Sequence, residues 1–128
     1  MNVDWRVFAR AFGADLDGST VTVQLAGERT QRVFVEADRT GVALRLWSVV
    51  TTKSKTALLG GGAPLAYAWE RNRLSDLVGY TVDNRGRLIG ETWIPTDGIT
   101  QQTFTLHLEE LARVCDWHEM RLSGDDTH

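Results

Sequence analysis

Cysteine is almost absent from this chain of 128 residues: the only one is Cys115. A single thiol closes no intrachain disulfide, so the fold must stand on packing alone, and a reducing cytosol is the expected compartment. Proline occurs twice, at Pro64 and Pro95, which leaves long stretches free to form helix or strand. No apolar run approaches the roughly 20 residues that cross a bilayer, and Met1 to Asp4 carries no basic segment followed by an apolar one. A soluble, cytoplasmic protein without membrane contact is expected. Excess positive charge is missing too. Fourteen Lys and Arg stand against 17 Asp and Glu, so binding nucleic acid by counterion release has no footprint.

Catalytic and metal-binding constellations are equally scarce. The three histidines are His107, His118 and His128. No second helical histidine stands at i+4 and no cysteine pair accompanies them, so no metal is assigned. Cys115 lies on an apolar helical stripe, where an inert buried thiol is the common state, although His118 stands nearly one turn on. Gly60-Gly61-Gly62 is preceded by its lysines and lacks a following Gly-Lys-Ser/Thr, so it reads as a linker. Asp15, Asp17 and Gly18 lack the later ligands of a calcium loop and read as a solvated turn. Glu109-Glu110 reads as a wet helix face, and no Gly-x-Ser-x-Gly occurs. The expectation is a protein that is not an enzyme and carries no cofactor.

What the chain does contain is 42% hydrophobic residues in regular patterns. Trp5, Phe8 and Phe12 recur at helical spacing after Asn2 or Asp4, and Gly13 is placed to end that helix. Three segments then alternate with the period of strands: Val21, Val23 and Leu25; Val33, Val35 and Ala37; Val42, Leu44, Leu46 and Val50. Lys53 to Gly62 breaks the pattern as a glycine-rich loop. Pro64 opens a middle helix carrying Leu65, Ala68 and Trp69, which ends near Asn72 to Asp76. Val78, Tyr80 and Val82 run into the turn Asp83-Asn84-Arg85-Gly86, and Leu88, Thr92 and Ile94 return. With Gly86 left-handed, Val82 pairs with Leu88 and Tyr80 with Gly90, whose missing side chain leaves room for the ring. Pro95 stops that strand. Thr100 then caps a helix with Phe104, His107, Leu108, Leu111, Val114, Cys115 and His118 on one broad stripe. The order helix, three strands, helix, two strands, helix predicts an α+β domain over residues 1–122: a five-stranded antiparallel sheet with helices mainly on one face. Residues 123–128 form a polar tail.

That order resembles the type III secretion chaperone-like fold, and in particular the YbjN family of small bacterial domains. The resemblance rests on Asn72 at the end of the middle helix, Asp83 and Gly86 in the hairpin turn, Gly98-Ile99-Thr100 before the last helix, and Leu108, Leu111, Asp116 and Leu122 after it. It implies a non-enzymatic, homodimer-prone module that binds a protein or peptide client, or a regulatory role. The first helix here is shorter than the one with which secretion chaperones help to hold an extended client.

Strand parity adds a surface. If Val42, Leu44, Leu46 and Val50 face the helices, then Phe34, Trp47, Val49, Ile89 and Trp93 lie on the other face, which a wet sheet would not leave so apolar. Either the N-terminal helix folds across this face or a partner does. A symmetric homodimer through the middle helix and the hairpin would use Tyr67, Trp69, Ile89 and Trp93 as anchors. A rival reading is a small-molecule-binding or enzymatic domain with the Lys53 to Gly62 loop as its lid.

Overall fold

The computed structural model describes residues 4–51, 68, 72 and 77–123. Helix α1 (Trp5–Phe12) begins where the Asp4 carboxylate accepts the Arg6 N–H at 3.2 Å, and it ends at Gly13, whose φ of 91° is the left-handed conformation that only glycine adopts without strain. Of the two candidate caps, Asp4 is the one used.

Six strands follow, each antiparallel to its neighbours: β1 (Asp15–Asp17), β2 (Thr20–Gln24), β3 (Thr30–Ala37), β4 (Ala43–Thr51), β5 (Gly79–Val82) and β6 (Leu88–Pro95), in the spatial order β1-β2-β3-β4-β6-β5. Among the described residues the sheet therefore has six strands, not five. The additional one is Asp15–Asp17, expected as a solvated turn. Its three residues pair with Thr20 to Thr22 because Gly18 turns the chain straight back at φ 62°, laying Asp15 beside Thr22. Both aspartates stay exposed and only Leu16 turns inward against the core.

The hairpin register is as expected, with Val82 opposite Leu88 and Tyr80 opposite Gly90. Gly86 has a φ of 76°, and the Asp83 carboxylate accepts the N–H groups of Arg85 and Arg87 at 3.0 and 2.9 Å and the Arg87 guanidinium at 2.8 Å. Partial burial opposes the charge on Asp83, but these hydrogen bonds outweigh it and hold the carboxyl below its ordinary value. The use made of Gly90 differs from expectation. A Cβ there would lie 2.5 Å from Cys115 Sγ, so the vacancy admits the last helix, and the Tyr80 ring stands edge-on to His118 at 5.2 Å instead.

That last helix, α2 (Gln101–Ser123), starts at Thr100, whose hydroxyl accepts the Thr103 N–H at 3.1 Å. It lies across β3, β4 and β6. Phe104, Leu108, Leu111, Ala112 and Cys115 have no solvent exposure, nor do Val21, Val33, Leu46, Val50 and Leu88 below them. Period 3.6 on the helix and period 2 on the strands thus deliver one shared core. Val42 is the exception. It was expected to face the helices, yet it is 62% exposed, because it belongs to the turn before β4, where its N–H is held by the Asp38 carboxylate at 2.9 Å.

Helix α1 joins the same layer as α2. Trp5 and Phe8 lie 6.2 and 5.7 Å from Phe104, ring centre to ring centre, and Gln101 Nε2 donates to the Phe8 carbonyl at 3.0 Å. The N-terminal helix is therefore not what covers the opposite face of the sheet.

Candidate protein-interaction surfaces

Strand pairing assembles the face opposite the helices residue by residue. Phe34 stands beside Trp47, Trp47 beside Glu91, Arg45 beside both Glu36 and Trp93, and Val49 beside Ile89. All five sheet residues singled out by parity therefore fall on one contiguous patch. Phe34 and Trp47 stack with centroids 4.4 Å apart, and the Arg45 and Arg87 guanidinium carbons lie 5.3 and 5.7 Å from the Trp47 ring centre. Arg45 also joins three strands, donating to Glu91 on β6 at 2.5 Å and Glu36 on β3 at 3.0 Å. Trp93, next to this network, is 49% exposed. Ile89, in contrast, is only 2% exposed. Trp47 Nε1 is buried and makes no hydrogen bond, an omission that costs about 1–3 kcal/mol in a sealed environment. Tyr67 and Trp69 lie outside the described residues, as does the Lys53 to Gly62 loop of the lid reading.

Both sheet edges are blunted. The middle-helix residue Asn72 is helical, and its side-chain amide meets the main chain of Tyr80 on edge strand β5: the Tyr80 N–H donates to Oδ1 at 2.6 Å, and Nδ2 donates to the Tyr80 carbonyl at 2.8 Å. An asparagine thus occupies the hydrogen-bonding positions of a further strand. The other edge is β1, short and flanked by Asp15 and Asp17.

On the helix side, a groove of about 430 Å3 runs between the β2–β3 hairpin and the second half of α2. Val23, Leu25, Trp117 and Met120 give it an apolar lining, and Trp117 is 45% exposed. One wall is the pair of Arg29 and Asp116, in which Nε and a terminal nitrogen reach the carboxylate at 2.9 and 2.8 Å. This groove was not anticipated. Its signal was Asp116, an acidic residue on the buried stripe of α2, which demands a cationic partner that periodicity does not locate. Leu106, also exposed, sits three turns before Trp117 on the same helix face.

Chemical candidates are placed elsewhere. Cys115 is sealed against Gly90, and burial, with Glu119 and Asp116 nearby, pushes its thiol far above the ordinary value despite a hydrogen bond with Gly90. His107 Nδ1 is 2.7 Å from Thr92 Oγ1, and burial lowers its pKa below 6.5. Among the described residues, no group of three His, Cys, Asp or Glu could hold a metal ion, and no helix is long and apolar enough to cross a membrane.

No protein-family model matches the chain, and no curated protein does. Solved structures match it over most of its length. The ExsC–ExsE complex contains a chain that is 16% identical with a TM-score of 0.61, over 95% of this chain and 97% of that one. The HopA1–SchA chaperone–effector complex gives 16% identity and a TM-score of 0.56, over 88% and 84%. The type III secretion chaperone SycH of Yersinia pestis, solved with a fragment of YscM2, gives 12% and 0.49, over 83% and 88%. This is the type III secretion chaperone fold. In it, the short β1 adds a sixth strand to the predicted order of elements, and the sheet face opposite α1 and the helix-side groove lie on opposite sides of one sheet.

Proposed function

We propose that this protein is a non-catalytic, chaperone-like or regulatory binding module of YbjN-like size, working in the cytosol. It pairs with a second copy through the outer sheet face and the middle helix, and it takes a protein or peptide client on the helix side. The observation that carries this reading is the contiguous patch of Phe34, Trp47, Val49 and Trp93, which α1 does not cover; Ile89, beside Val49, is already buried within the monomer and is not an anchor. Its charges are self-complementary, since Arg45 and Arg87 are matched by Glu36, Glu91 and Asp83, which suits an isologous contact in which one patch meets its own copy. Closed edges favour face-to-face association over strand pairing. A stable contact would bury on the order of 1,200–2,000 Å2 in total. The client assignment is supported by the apolar groove beside Trp117 and by the shared fold, since SchA is solved in a chaperone–effector complex.

Sedimentation velocity at micromolar concentration tests the dimer. The wild type is expected to sediment as a dimer that Trp93→Glu dissociates, whereas Val7→Glu, at an exposed position of α1, leaves it intact. A monomer at every concentration would overturn the pairing. The client arm is a pull-down from the native cytosol in which Trp117→Glu abolishes capture of a protein that Trp93→Ala retains. Equal capture by wild type and Trp117→Glu would remove the groove from the reading.

A further inference from the structure

We draw no further inference here: the strongest candidate, the cleft of about 520 Å3 at the end of the outer sheet face beside Arg32, Phe34, Val49 and Arg87, opens onto the surface already proposed for a second copy, and nothing in the structure shows what fills it.

Discussion

Gly90 and Cys115 show how one small residue admits another element. The helix crosses the sheet where the strand has no side chain, and the 2.5 Å separation that a Cβ would have from Cys115 Sγ leaves no room for even a methyl group. Gly90→Ala is expected to destabilise the fold by roughly 1–3 kcal/mol in urea denaturation, the usual range for overpacking. Adding Cys115→Ala should recover part of that loss, because the two sites share one space, so the double mutant is non-additive. Cys115 itself should react with a thiol reagent only as fast as the protein opens. His107 adds a pH dependence. Its folded-state pKa lies below 6.5, so as pH falls through 6.5 the unfolded chain binds a proton that the folded chain refuses. Stability is therefore full above 6.5 and declines until the pH passes the folded-state value. Thermal melts between pH 8 and 5 should show this slope, and His107→Gln should flatten it.

The elements are held by punctuation at their ends and by a few long-range ties. Asn72 closes the β5 edge through two hydrogen bonds to Tyr80. Asn72→Ala should speed amide exchange at Tyr80 and cost about 1–2 kcal/mol, as expected for two net hydrogen bonds. It should also expose an edge able to pair with another chain, visible as association that grows with concentration. On the opposite side, Arg29 ties the β2–β3 hairpin to α2 across 87 residues of sequence. Asp116 is 9% exposed, so Arg29→Ala leaves a nearly buried carboxylate without its principal partner. We expect a loss of up to about 3–5 kcal/mol, the range for breaking a buried pair, measured by urea denaturation. Joint replacement by apolar residues should cost less, since no charge is then left unpaired.

For the whole molecule, the two faces of the sheet differ in composition. The helix layer buries the centre of one face, where Phe104, Leu108 and Leu111 have no solvent exposure. The other face mixes stacked aromatics with ion pairs on the same central strands. If a second copy sits there, the melting temperature should rise with protein concentration, and Trp93→Glu should remove that dependence. A substitution in the groove, such as Met120→Glu, should leave the concentration dependence unchanged. Differential scanning calorimetry at several concentrations separates the two surfaces.

Much of the fold was legible from short stretches of sequence because the physics there is local. Asp4 and Gly13 bracket α1, Thr100 opens α2, and Asp83 with Gly86 sets the hairpin register, each through contacts within a few residues. Parity likewise placed Phe34, Trp47, Val49, Ile89 and Trp93 on one face, since successive strand residues must alternate. Tertiary structure decided what depends on distant partners. Asp15–Asp17 is a strand only because β2 offers it an edge. Helix α1 chose the side of α2 because Phe104, far along the chain, supplies the surface for Trp5 and Phe8. The Arg29–Asp116 pair and the groove beside it exist only once hairpin and helix meet, and no periodicity within either segment records where the other will lie.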